Sequence, residues 1–343
     1  MKAIVAHGAK DLRLEDTAVA EPGAGEVRLR MSAGGICGSD LHYYNHGGFG
    51  SVRLKEPMIL GHEVAGVIDA LGPDVRGLAV GQLVAVSPSR PCYSCVYCDE
   101  AAHNHCLNMR FYGSAMPFPH IQGAFRESLV AQARQCVPAD GLSAGEAAMA
   151  EPLAVVLHAA AQAGDLLGKR VLVTGCGPIG LLAVMVARAA GAREIVATDI
   201  TDFTIQTALN IGADVVHNVA QDPQALERYT ADKGHFDVLF ECTGVAPVVA
   251  SAVPALRPRA HLVQLGLGGD MTLPVQMMTA KEITLKGSFR FHGEFAKAVQ
   301  LMQAGRLDVT PLITHSLPLH EMAAAFDLAS DRTQAVKVQL TFS

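Results

Sequence analysis

Val171-Leu172-Val173-Thr174-Gly175-Cys176-Gly177-Pro178-Ile179-Gly180 is the stretch on which the fold turns. A short run of apolar and β-branched residues reads as a strand buried on both faces, and a glycine stops it. Gly175-x-Gly177-x-x-Gly180 then opens an apolar helical period over residues 181–190, with Pro178 at a position where a helix start accepts it. A second strand over 194–198 ends on Asp199, about twenty residues beyond the last glycine. Strand, glycine turn, helix, strand and acid together make a dinucleotide-binding unit. The glycines permit the tight turn and the approach of a pyrophosphate, the helix N-terminus attracts its charge, and the acid accepts from ribose hydroxyls. Gly175, Gly177, Pro178, Ile179, Gly180 and Asp199 are therefore candidate cofactor contacts. Asp199 repels a 2′-phosphate, and residues 200–210 hold no Lys or Arg to neutralise one, so NAD is expected over NADP.

Outward from this unit the pattern repeats. Further strands read at 215–216, 236–242, 261–266 and 283–287, which completes a doubly wound α/β sheet of about six parallel strands. A helical period follows at 294–304, then an alternating strand at 335–340. A last strand after a complete nucleotide domain is expected to return to the domain that precedes it. Upstream, short strands at 3–6, 27–31, 64–68 and 83–86 are punctuated by Gly and Pro, the texture of a barrel-like β domain. The expected organisation is a discontinuous β-rich domain over 1–150 and 288–343, a Rossmann domain over 151–287, and a catalytic cleft between them.

Two stretches of the β-rich part carry metal-ligand types: Cys37-Gly38-Ser39-Asp40-Leu41-His42 and Gly61-His62-Glu63. They offer a thiolate, an imidazole and a carboxylate, which zinc accepts in a catalytic site. Read alone, Ser39 is a turn hydroxyl and His42 a surface imidazole. Cys92, Cys95, Cys98 and Cys106 are separated by two, two and seven residues. Four thiolates on one loop can close a tetrahedral structural zinc site, and a redox Cys-x-x-Cys pair is the alternative. His103 and His105 inside the loop are expected to be solvated. Glu151-Pro152 opens a helix, where a carboxylate is first of all a favourable partner of the dipole.

Composition narrows the classes. Half of the 343 residues are hydrophobic, aromatics are 5% and Trp is absent, a profile of tightly packed α/β domains rather than of disorder. The net charge of −6 and the lack of a dense basic run oppose a nucleic-acid or anionic-membrane partner, including use of the four-cysteine loop as a nucleic-acid-binding finger. The apolar stretch 171–192 is broken by glycines, Pro178 and Arg188, which a bilayer-spanning helix would avoid. With no secretory signal, the chain is expected in the cytoplasm, where eight cysteines serve as ligands or buried thiols.

Over nearly its whole length the chain resembles the zinc-containing medium-chain alcohol and polyol dehydrogenases, in particular their sorbitol and L-idonate dehydrogenase branch. The resemblance rests on Gly34-Gly35-Ile36-Cys37-Gly38-Ser39-Asp40-Leu41-His42-Tyr43-Tyr44, Leu60-Gly61-His62-Glu63-Val64, the four cysteines, Glu151-Pro152-Leu153-Ala154 and Gly287-Ser288-Phe289-Arg290. It implies a GroES-like catalytic domain and two zinc ions per subunit. Cys37, His62, Glu63 and Glu151 would serve the catalytic ion, and Cys92, Cys95, Cys98 and Cys106 the structural one. It further implies a proton path through Ser39 and His42, and Arg290 beside the substrate. Tyr43 and Arg110 are further candidate substrate contacts, and Leu265, Gly266, Ser288 and Phe289 further cofactor contacts. The arginine often found five residues after the ribose acid is replaced by Thr204. A carboxylate in place of a third thiolate suits a polar, hydroxylated substrate. The implied reaction is NAD-linked oxidation of a sugar acid or polyol, L-idonate to 5-ketogluconate first, with sorbitol and then L-threonine as alternatives. The implied assembly is a homotetramer or homodimer.

Overall fold

In the computed structural model, which describes residues 1–342, the fingerprint lies in the second of two units, formed by Pro152–Phe291 with Arg332–Val336. Its sheet has six parallel strands in the order Val215–Asn218, Glu194–Asp199, Arg170–Thr174, Phe236–Glu241, Leu256–Gln264, Thr284–Gly287. The order reverses between Arg170–Thr174 and Phe236–Glu241, and ligands of such sheets bind beyond the carboxyl ends of the strands at that switch point. One face packs through Leu172, Val196, Phe236, Leu239, Leu256 and Leu262. Each such side chain contributes about 1.5–3 kcal/mol by leaving water. The fifth strand begins at Leu256 rather than near residue 261, because Arg257-Pro258-Arg259 conceals its periodicity in the sequence. Ser288 to Phe291 belong with this sheet unit rather than with the returning tail.

The first unit comprises Met1–Glu151, His292–Asp331 and the segment from Lys337 onward. Its seven-stranded sheet runs Cys136–Pro138, Leu83–Val86, Glu63–Leu71, Glu26–Gly35, Lys337–Thr341, Ile313–Pro318, with Ser128–Gln132 also paired to Glu26–Gly35. Lys337–Thr341 lies antiparallel to Glu26–Gly35, pairing Gln339 with Gly35 and Thr341 with Ala33. Period-two alternation would place Lys337 and Gln339 of this strand on a solvated face. Both are in fact buried, at 2% and 1% exposure, which makes them partners of something internal.

A further difference concerns the connection after Glu26–Gly35. Residues Gly38–His46 form a helix with Cys37 as its N-cap, and Asp40 three residues on accepts from the Cys37 backbone N–H at 3.1 Å. Gly38-Ser39 obscures this start, since glycine and serine favour turns. Among the described residues no helix is long and apolar enough to cross a membrane.

Candidate active site

Cys37 at the N-cap and His62 and Glu63 at the entry to strand Glu63–Leu71 come together in the first unit. Their ligand atoms all lie within 4.8 Å of one another. Asp40 holds the two segments in register. Fully buried, its carboxylate accepts from the backbone N–H of Cys37 and from that of Gly61, both at 3.1 Å, and lies 3.8 Å from His62 Nδ1. Asp40 thus positions the backbone on both sides of the cluster. The signal for it was present, an acid at the third helical position, where capping boxes place one.

Lys337 is the residue that sequence reasoning missed. Its Nζ donates to both oxygens of Glu63, at 2.6 and 2.8 Å, and to the Ile36 carbonyl at 3.2 Å. Both partners of this ion pair are 2% exposed. Burial, with Glu63 beside it, pushes the Cys37 thiol up to about 12, and burial pushes the Glu151 carboxyl up to about 8 against the opposing pull of His62. Four groups that can carry negative charge, Cys37, Asp40, Glu63 and Glu151, therefore share a buried space with one ammonium. A divalent cation relieves that imbalance, and the donor set of thiolate, imidazole and carboxylate suits zinc. His62 Nδ1 is buried beside Asp40 but beyond hydrogen-bond distance of it, and has no other hydrogen-bond partner among the described residues. Glu151, in the first turn of helix Ala150–Ala163, is 5% exposed and interacts electrostatically with the trio, although its carboxylate is not one of the three clustered ligand groups.

The four cysteines form a second cluster with sulfurs within 4.8 Å, including Cys92 to Cys106 at 3.5 Å and Cys95 to Cys98 at 3.6 Å. All are free thiols. Backbone N–H groups of Cys92 and Asn108 donate to the Cys106 sulfur at 3.2 and 3.3 Å, the pattern that steadies thiolates around an ion. Hydrogen bonds from Asn108 and Ser94 draw the Cys92 thiol down to about 5. His103 stays outside the cluster, its ring stacked on His292 at 4.2 Å.

Other candidates have mixed placements. The Ser39 hydroxyl stands beside Cys37 and favours its thiolate, against the larger effect of burial. His42 lies 5.8 Å from the Phe49 ring and 6.2 Å from His46. Tyr43 is buried at 2%, and its hydroxyl accepts the Ala115 N–H at 3.0 Å, which braces the following loop. Arg110 is exposed, directly across from Arg90 in a short two-strand ladder. Arg290 belongs to the second unit, where its guanidinium stands 4.9 Å over the Phe289 ring.

In that second unit Gly180 admits no other residue, since a Cβ there would sit 1.7 Å from the Gly175 carbonyl oxygen. Gly177 is different: a Cβ would meet no protein atom within 4 Å, so its bareness leaves room for something other than protein. It caps helix Pro178–Ala189 without a side-chain bond, which leaves the N-terminal amides for an anion. Asp199 closes the adjacent strand, its carboxylate accepting from the N–H groups of Cys176, Ile200 and Thr201. Thr204 is buried, with its hydroxyl donating to the Thr201 carbonyl at 2.9 Å. Leu265 and Gly266 donate their N–H groups to the Glu241 carbonyl at the end of the neighbouring strand. Ser288, just past the last strand, has a buried hydroxyl without a partner among the described residues. These features fit a dinucleotide.

Comparison with known proteins adds independent support. The family model described as alcohol dehydrogenase GroES-like domain matches residues 23–141, and that described as zinc-binding dehydrogenase matches 178–304. The chain is 44% identical over 316 residues to the L-idonate 5-dehydrogenase (NAD(P)(+)) of Escherichia coli (strain K12), covering 92% of this chain and 91% of that one. It is 36% identical over 343 residues to the sorbitol dehydrogenase of Gallus gallus, covering 98% and 95%. The solved structure of the L-idonate 5-dehydrogenase from Escherichia coli str. K-12 substr. MG1655 matches with a TM-score of 0.94 at 41% identity, covering 99% of this chain and 98% of that one.

Proposed function

Since the chain belongs to the zinc-binding dehydrogenases that carry a GroES-like alcohol dehydrogenase domain, we propose that it oxidises L-idonate to 5-ketogluconate. At the coarser level it is an NAD(P)-linked alcohol dehydrogenase of the polyol and sugar-acid type. The observation that carries the reading is the buried cluster of Cys37, His62 and Glu63 with Glu151 electrostatically linked to it. In this reading these four residues hold the catalytic zinc and the four-cysteine loop holds a structural one.

When bound, zinc would supply Lewis acidity toward the substrate hydroxyl, and a nicotinamide would supply the capacity to take up a hydride. The chain's own residues do the remainder. Asp40 and Lys337 fix the ligand side chains, while Ser39 and His42 lead the hydroxyl proton to solvent. Burial and the neighbouring His46 lower the His42 pKa, which keeps its ring neutral at pH 7 and able to accept that proton. Arg290 and Arg110 are the cations offered to a substrate carboxylate. We take NAD as the preferred cofactor, the homotetramer as the assembly ahead of the dimer, and the cytoplasm as the location.

Three measurements check this reading. Initial rates with L-idonate, D-gluconate, sorbitol, L-threonine and ethanol should give the highest kcat/KM for L-idonate. Sorbitol leading by a wide margin would move the assignment to a polyol, and ethanol leading would overturn it. His42→Ala should lower kcat about 10²-fold and remove the acid-side inflection in the pH profile. An unchanged profile refutes the proton path. Asp199→Ala should weaken NAD and narrow its advantage over NADP about tenfold or more, through loss of charge-assisted ribose bonds and of 2′-phosphate repulsion. Equal cofactor ratios in variant and wild type would count against Asp199 as the discriminating group.

A further inference from the structure

A cavity in the first unit, about 150 Å³, is walled by strand Ser89–Arg90, the turn Ala133–Gln135 and the start of helix Glu294–Gln303. Two arginines, Arg90 and Arg134, line it together with Ser89, His292 and Gly293, and no carboxylate is among its lining residues. Ser89 is 5% exposed, yet its hydroxyl has no partner among the described residues. A buried hydroxyl left in that state costs about 1–3 kcal/mol unless something enters to satisfy it.

The arginines point the same way. The Arg90 side chain makes no hydrogen bond or ion pair among the described residues, and Arg110 faces it directly across the ladder. Like charges in opposed positions destabilise a strand pair unless an anion intervenes. Arg134 is pre-set: its guanidinium lies 4.3 Å over the Tyr93 ring and its Nε donates to Gln132 Oε1 at 2.8 Å, which leaves its two terminal nitrogens for another acceptor. Glu294, the acid in the first turn of the nearby helix, directs its carboxylate to the His292 backbone N–H at 3.1 Å. The local electrostatics therefore favour negative charge from outside the chain.

We propose that this cavity binds a tetrahedral oxyanion, either inorganic phosphate or the phosphate group of an ester, through Arg90, Arg134 and the Ser89 hydroxyl. It shares no residue with the Cys37, His62 and Glu63 cluster, so it stands whether or not L-idonate is the substrate.

The test uses the zinc-loaded full chain with saturating NAD, which fills the phosphate-binding turn at Gly175 to Gly180. Thermal unfolding and calorimetric titration compare inorganic phosphate, a hexose 6-phosphate and chloride at equal ionic strength. Phosphate or the ester should raise the midpoint saturably where chloride does not, and tighter binding of one or the other names the source. Arg90→Gln and Arg134→Gln should each weaken that binding about tenfold. Arg90→Gln removes no bond of the folded chain, so its midpoint without phosphate should match wild type, and Ser89→Ala provides a milder second variant. A midpoint rise equal for phosphate and chloride overturns the proposal, as does undiminished phosphate affinity in both arginine variants.

Discussion

Cys37→Ala lowers kcat/KM for alcohol oxidation by about 10³-fold or more, since a Lewis acid contributes several kcal/mol of transition-state stabilisation. It also removes one bound metal per chain. The fold survives, because Asp40 still staples the backbone of residue 37 to that of Gly61. Cys92→Ser separates the two clusters. It should release the other metal and lower the unfolding midpoint, with the Cys37, His62 and Glu63 cluster still metallated at low temperature. Turnover by Cys37→Ala within a factor of ten of wild type would remove the proposed centre from the chemistry.

Lys337→Met costs about 3–5 kcal/mol of stability in the chelated protein, the usual penalty for leaving one member of a buried ion pair alone. Glu63 then has no cation at hydrogen-bond distance in an interior where both partners were 2% exposed. With zinc bound the penalty should shrink, because the metal supplies the missing positive charge. In the double variant Lys337→Met with Glu63→Gln most of the stability should return, since no unpaired buried charge is left. Urea unfolding of the four proteins in the cycle, with and without zinc, measures this. A single-variant loss below about 1 kcal/mol would mean that the pair contributes no more than a surface salt bridge.

The two clusters were legible because zinc chemistry forces particular residue types, and for the four thiols it also forces short spacing. The nucleotide unit was legible for a related reason. Gly180 has a backbone oxygen where its Cβ would be, so no other residue can stand there. Lys337 was not legible. It pairs with a residue 274 positions away, and an alternating strand with polar Lys337 and Gln339 looks the same whether those side chains meet water or a buried partner. Gln339 donates to the Gly145 carbonyl at 2.9 Å, a second long-range bond that no local pattern announces. Helix Gly38–His46 was missed because its first residues favour turns when read alone, and its start depends on Asp40 reaching back to Cys37 and across to Gly61. The Tyr43 hydroxyl accepts from the N–H of Ala115, 72 residues on, a further bond that no local pattern announces. In each case the deciding interaction is non-local.

Stepwise chelation with metal content and NADH formation followed together addresses the central claim most directly. The account predicts two zinc equivalents per chain at the outset. The equivalent held by the mixed thiolate, imidazole and carboxylate set should leave first, with turnover falling in proportion and returning when zinc is restored. Full turnover in protein stripped of all zinc would contradict it.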